Sequence, residues 1–534
     1  MDACSIAPKQ TSHRALPEHR LLGLRWAACA LALALILAVP FFIVDVPPVL
    51  DYPNHLARYF VLAHPDDPFL SQIYRPQWRL IPNLGMDVLG AGLLKFTSVH
   101  AGGRILLALS LFAPVIGVIV YHRVAFRRFS YWPLASGLIA YNGIFFLGFM
   151  NFLLSVGLAF VGAACWMAQR RRGERGAVMI GALSAIPIYF CHIFGVILFM
   201  ILIGAQELAR LSDAARAGTF TIPSASRILG MLVCVLAPVM LLYFAGPLSD
   251  GAAAPGSWLG NRKFWTSFTP VMTTSINLTL FTGLIIVCLI ILCWRTAVLA
   301  PGTLFAMLAL GVLFIAAPTA IKGGSFVDMR MPLMMAMLLF AGVQPRFNKM
   351  EAGIAGFVVA ALVVARTGYI SSTWIEHRQD LADLRAAIAP LPPLSRVLVS
   401  RPMMGTKYQL DDMPSRVLPG MYRLSGHMPA LIAIERRAFW PLMFADPTQQ
   451  PLRILPPYDR LSQPLAEPVI WSVLNLDHFS DEVLATARYL PDWRAKFDYV
   501  LLIEPPPVPV VPRGLVPVVS TGFAVLYKIQ TSPL

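Results

Sequence analysis

The stretch YWPLASGLIAYNGIFFLGFMNFLLSVGLAFVGAACWMAQ, residues 131–169, runs for 39 residues without an acidic or basic side chain. It lies between two clusters of positive charge, HRVAFRR (122–128) and RRRGER (170–175). An aqueous domain has nowhere to hide so long an uncharged run, whereas the hydrocarbon core of a bilayer requires one. Short loops rich in Lys and Arg mark the cytoplasmic side of membrane proteins. Both ends of the run therefore stand inside, and it is expected to be a hairpin of two helices turning near GFMNF (148–152).

Composition extends the same reading to most of the chain. Of 534 residues, 57% are hydrophobic and only 13% charged, which places the protein among polytopic helical membrane proteins. The first apolar run, 26–44, follows Lys9, Arg14, Arg20 and Arg25 and carries no evident small-residue cleavage site. It reads as a retained first membrane helix, with 1–20 as a cytoplasmic tail. The net charge of +15 does not indicate nucleic acid, because much of the excess sits in the short basic loops. The seven cysteines (4, 29, 165, 191, 234, 288, 293) fall mostly in apolar runs and offer no disulfide framework or zinc spacing.

Counting outward from the hairpin, the expected crossings are 21–44, 103–121, the hairpin, 228–245, 275–294, 297–317, 331–344 and 351–366. A further pair is expected within 177–206, turning near Cys191 and His192. That segment is short for two spans at ~1.5 Å per residue. The sum is an α-helical protein of about eleven transmembrane helices, with a long first outer loop at 45–100. Near Tyr369 the composition changes to mixed charge, many prolines and short alternating apolar runs such as RVLVS (396–400), YVLLIEP (499–505) and FAVLYKI (523–529). Residues 369–534 are expected to form one α/β domain on the extracytoplasmic side, beyond a membrane domain of 21–368.

The acids are scarce enough to be placed one by one. On this topology Asp45, Asp51, Asp66, Asp67, Asp87, Asp250 and Asp328 face the outer side, five of them in the first loop. Carboxylates near lipid are costly to desolvate, so their concentration points to a site. Within VDVPPVLDYPNHLARYF (44–60), Pro53 suits a first helical turn, and Leu56, Tyr59, Phe60 and Ala63 repeat at helical spacing. Asn54, His55 and Arg58 fall on other faces. An amphipathic helix lying in the outer interface is expected, with Asp51 before its start, as a helix cap or as a functional carboxylate. Arg58, Arg75, Arg79, Lys322 and Arg330 share that side, and a guanidinium presents paired donors suited to a phosphate. Asp328 and Arg330 are close enough in sequence to pair locally. HPDDP (64–68) offers Asp66 and Asp67 as weak candidates for a divalent cation, or an ordinary turn. Asn142, Asn151 and His192 suit interhelical hydrogen bonds, His192 also an outer cavity. His427 and ERRAFWPLMFADP (435–447) belong to the outer domain, where that segment is a candidate acceptor surface.

These residues carry a resemblance. The layout of spans, the long acid-bearing first outer loop, the motif LDYPNHLAR (50–58) and the terminal outer domain resemble the C-type glycosyltransferase superfamily (GT-C), membrane enzymes that use polyprenyl-phosphate-linked sugars. In that family an acid of this loop acts as catalytic base or metal ligand, and many members have an acidic pair where this chain has Asp51 followed by Tyr52. The resemblance implies an inverting transfer at the outer face of a bacterial inner membrane, from a polyprenyl-phosphate-sugar donor to a glycan, lipid or protein acceptor. Asp51 would be the general base with His55 orienting it or the acceptor. Arg58, Arg75, Arg79, Lys322 and Arg330 would hold the donor phosphate, and Asn54, Asp328 and His192 would line the acceptor cavity. A transporter or lipid flippase, or a non-catalytic membrane assembly protein, is the alternative. A transporter would show paired midplane charges and related halves, neither of which the sequence displays.

Overall fold

The computed structural model describes residues 15–247, 258, 263–320, 325–403, 416–419, 422–464, 466–507 and 509–530. Among these, eight helices are long and apolar enough to cross a bilayer: Gly23–Phe42, Val99–Phe126, Met150–Arg170, Glu174–Cys191, Ile193–Arg216, Ile222–Ala245, Ile276–Cys293 and Lys349–Ile388. Two shorter apolar helices, Thr303–Ala316 and Arg330–Gly342, complete the bundle. Large apolar side chains face outward along the peripheral helices, as with Phe281, Leu284 and Ile291, and the chain is an integral membrane protein. Met150–Arg170 is the central helix. It meets Val99–Phe126 at small residues, and a Cβ on Gly117 would lie 2.6 Å from the Gly157 carbonyl oxygen, so the two backbones touch.

The opening stretch, 131–169, folds differently from the expected pair of helices. Its second leg is the helix Met150–Arg170, but its first leg is a 3-10 segment, Trp132–Ile139, followed by the short helix Gly143–Leu147. Pro133, Gly137 and the Asn142–Gly143 pair interrupt regular helix there. Asn142 repairs the break, accepting from Phe145 N at 3.0 Å and donating to the carbonyls of Ile139 and Ala140 at 2.9 Å. Irregular backbone is tolerable at membrane depth only inside protein, and this segment is almost entirely buried.

The segment 177–206 contains two helices that turn at His192, and its length problem is solved at the ends. The helices extend to Glu174 and Arg216 and take charged residues with them. Glu207, fully buried, is held by Arg170 Nε at 3.1 Å and by Trp166 Nε1 at 3.2 Å.

Lys349–Ile388 is one helix of 40 residues, where a span of 351–366 ending before a separate domain at 369 is the sequence expectation. At ~1.5 Å per residue it is about twice the thickness of a bilayer core. A capping box between Asn348 and Glu351 starts it, and no proline interrupts it. Its second half buries Trp374 against Phe41 and Tyr141, and beyond them His377, Leu381 and Leu384, before the chain enters the terminal region. There a five-stranded sheet runs in the order Leu515–Ser520, Ala524–Ile529, Tyr499–Ile503, Val397–Arg401, Val469–Ile470. The first two pairings are antiparallel and the last two parallel. A separate two-stranded pairing, Tyr74–Pro76 with Leu452–Ile454, joins the first loop to this region. The basic clusters lie at one end of the bundle; the first loop and the sheet cover the other.

Candidate active site

Asp51 is positioned by backbone. Leu50 N donates to Phe146 O at 2.9 Å and Asp51 N to Leu147 O at 3.2 Å, so the first loop is bonded onto the short helix Gly143–Leu147. Gly148 ends that helix with φ +87°, and a Cβ there would meet Asp51 Cβ at 2.9 Å. Only glycine satisfies both the turn and the close approach. The helix Tyr52–Ala63 then begins, with His55 N donating to Asp51 O at 2.9 Å. The Asp51 side chain caps nothing. It turns instead to His427, whose Nδ1 lies 3.0 Å from Asp51 Oδ1.

Tyr52–Ala63 does not lie on the lipid interface. All of its residues except His55 are buried, because the terminal region covers the face that the sequence pattern assigned to water. Asn54 makes that contact specific: its Nδ2 donates to Leu442 O, and its Oδ1 accepts from Phe444 N, each at 2.8 Å. Arg58 is 1% exposed and grips the fully buried Asp87 through Nε–Oδ1 at 2.6 Å and Nη2–Oδ2 at 3.2 Å. Burial alone would lower the Arg58 pKa, but the adjacent Asp87 carboxylate outweighs it and the guanidinium is held charged. Arg58 Nη2 also lies 3.1 Å from His55 Nδ1. Burial, then the positive charge of Arg58, pushes the His55 pKa well below its ordinary value, so the ring is neutral.

Between bundle and terminal region lies a cavity of about 670 Å³. Asp51, His55 and Arg58 form one wall, and Phe149, Phe152, His192, Phe194 and Arg330 form the bundle wall. Arg401, Arg423, His427, Phe444 and Glu467 close it from the terminal side. Arg58, Arg401 and Arg423 already have carboxylate partners: Asp87, Glu467 and Glu504. Arg330 has none among the described residues. Its guanidinium sits 4.8 Å from the Phe194 ring centre, 5.2 Å from Phe149 and 5.8 Å from Phe152, and its Nε is buried without a hydrogen bond. Three aromatic faces replace its water without neutralising it. Such a group, open to a cavity, attracts an anion.

The other candidates separate clearly. His192 lines the cavity, where its Nδ1 accepts from Phe194 N at 3.1 Å. Asn151 stands at the rim, accepting from Met86 N at 2.7 Å and donating to Asn83 O at 2.8 Å. Asp328 is buried but does not pair with Arg330; it meets Lys263 at 3.4 Å and Thr319 at 3.3 Å. Arg75 and Arg79 are exposed and contribute no wall residue to the cavity. Asp66 is exposed, and Asp67 caps Phe69 and Leu70 and pairs with Arg437 at 3.0 Å. Lys322 and Asp250 lie outside the described residues. Among the described residues, no group of three or more His, Cys, Asp or Glu is arranged to hold a metal. Sequence reasoning gave no weight to Phe149, Phe152, Phe194, Arg401 or Arg423. They meet around the cavity from four distant segments, and only Phe149 and Phe152, three apart within the GFMNF turn, left a local signal.

No family model and no curated protein matches the sequence. Among solved structures, the chain is similar to a crystal structure of ArnT from Cupriavidus metallidurans bound to undecaprenyl phosphate. The similarity covers 95% of this chain and 98% of that one, at 12% identity and a TM-score of 0.48.

Proposed function

We propose that the protein is a membrane glycosyltransferase that moves a sugar from a polyprenyl-phosphate donor to an acceptor hydroxyl in this cavity. The observation that carries the reading is the juxtaposition, in one cavity at the end of the bundle, of the Arg330 guanidinium, which has no carboxylate partner among the described residues, and the Asp51 carboxylate. A lipid-linked phosphate at the membrane surface meets Arg330, which binds it and stabilises the charge that grows on it as the sugar departs. Arg58, with Nη1 still unpartnered, adds to the same positive field. Asp51 takes the proton of the attacking hydroxyl as general base. One carboxylate serves an inverting displacement here, since a phosphate leaves without being protonated, unlike the leaving groups of glycosidases. In this reading the cavity end faces away from the cytoplasm, in keeping with the basic clusters at the opposite end, and the membrane is a bacterial inner membrane.

The test is transfer from labelled polyprenyl-phosphate hexoses and pentoses, tried in turn, by purified full-length protein in nanodiscs. Asp51→Asn is expected to lower transfer at least 100-fold while binding of undecaprenyl phosphate persists. Arg330→Gln is expected to weaken that binding at least tenfold. Unimpaired transfer by Asp51→Asn rejects the carboxylate as base, and coupled solute uptake by the wild type in its place rejects the transferase reading.

A further inference from the structure

The base, as read above, is one carboxylate of the first loop, yet the structure sets an ionisable ring against it. His427, from the terminal region, places Nδ1 3.0 Å from Asp51 Oδ1, with side chains only 11% and 15% exposed. The imidazole is fixed edge-to-face against Phe444 at 5.0 Å and Trp440 at 6.2 Å between ring centres. Phe444 is itself tied to the first loop through Asn54. The histidine ring lines the cavity, and its buried Nδ1 closes no hydrogen bond among the described residues, with the Asp51 carboxylate the acceptor within reach.

We propose, on the basis of the transferase reading but with the proton taken through the ring rather than by Asp51 directly, that His427 and Asp51 act as a carboxylate–imidazole dyad assembled across the two halves of the molecule. In the dyad a small rotation of the ring brings Nδ1–H onto the Asp51 carboxylate 3.0 Å away, which fixes the tautomer and frees the Nε2 lone pair for the acceptor. As the acceptor oxygen bonds to the anomeric carbon, the bond from that carbon to the phosphate oxygen breaks and its electron pair leaves with the polyprenyl phosphate. The hydroxyl proton passes to Nε2, and the imidazolium so formed faces the Asp51 carboxylate until water removes the proton. The charged and titratable groups on the elements around the ring are Asp51 ahead of Tyr52–Ala63, His55 and Arg58 on that helix, and Arg423 with Glu504 on the terminal side. Arg330 stands on the bundle wall of the same cavity. Of the histidines lining the cavity, His427 is the one set against the Asp51 carboxylate among the described residues.

The experiment compares wild type, Asp51→Asn, His427→Gln and the double variant as full-length protein in nanodiscs. It uses the same labelled donors, undecaprenyl phosphate as binding probe, and ¹⁵N-histidine resonances read against pH. A dyad predicts at least 100-fold lower transfer in each single variant and little further loss in the double. It also predicts retained undecaprenyl phosphate binding, and His427 ring ¹⁵N resonances whose dependence on pH differs between wild type and Asp51→Asn. Transfer within twofold of wild type in His427→Gln, with Asp51→Asn inactive, overturns the dyad and leaves Asp51 as sole base. Full transfer in both variants overturns the underlying reading as well. Loss of undecaprenyl phosphate binding in His427→Gln assigns the histidine a packing role and also overturns the dyad.

Discussion

At the scale of single residues, the cavity depends on charges that are affordable only in company. Asp87 and Arg58 are both buried, and each is tolerable because the other is there. Asp87→Asn strands the guanidinium and is expected to destabilise by about 3–5 kcal/mol, read as a lower thermal midpoint in detergent. Arg58→Met with Asp87→Leu together is expected to cost far less. His55 gives a pH dependence. Its folded pKa is depressed, so below the ordinary value near 6.5 the unfolded chain takes up a proton that the folded chain refuses. Stability then falls with falling pH, by at most about 1.4 kcal/mol per unit. His55→Gln is expected to flatten the thermal midpoint between pH 5 and 7; an unchanged slope would refute the assignment. Asp51, His55, Arg58 and Arg330 were legible as candidates because charge is rare in this sequence. The pairing of Asp51 with His427 was not, because nothing local in either segment encodes their approach.

At the scale of elements, length and hydropathy recovered the long spans, and the turns at 148–152 and at His192 were visible in their residue types. What failed was regularity. The first leg of the opening stretch reads as helix by hydropathy, yet Pro133, Gly137 and Asn142 break it, and burial in the bundle supplies what the broken backbone needs. The helix Tyr52–Ala63 carried an amphipathic pattern that reads as a lipid surface; the pattern records one face against the bundle and the other against a partner segment hundreds of residues away. The strand pairing of Tyr74–Pro76 with Leu452–Ile454 had no signature, since three residues are too few for a period. It makes a direct prediction. Arg75 and Arg453 are opposite each other in the antiparallel register, at a spacing a disulfide spans. In a background without native cysteines, Arg75→Cys with Arg453→Cys is expected to cross-link under mild oxidation, seen as a gel shift that reductant reverses. Failure to cross-link would contradict the register.

At the scale of the whole molecule, the terminal region is built into the bundle. The helix Lys349–Ile388 enters it unbroken, Asn54 and Asp67 bond to it, and the paired strands stitch it to the first loop. A protease site placed in 389–395, after that helix, is expected to leave two fragments that co-elute in detergent and melt in one transition. Separate elution would show the region to be an independent module. Because Asp51 is made near the beginning of the chain and His427 comes only after the last span is complete, a ribosome-bound intermediate already threaded into the bilayer holds one half of the pocket and lacks the other. An unfinished chain therefore presents an open half-pocket, and the order of translation itself sets the docking of the terminal region as the step that completes it.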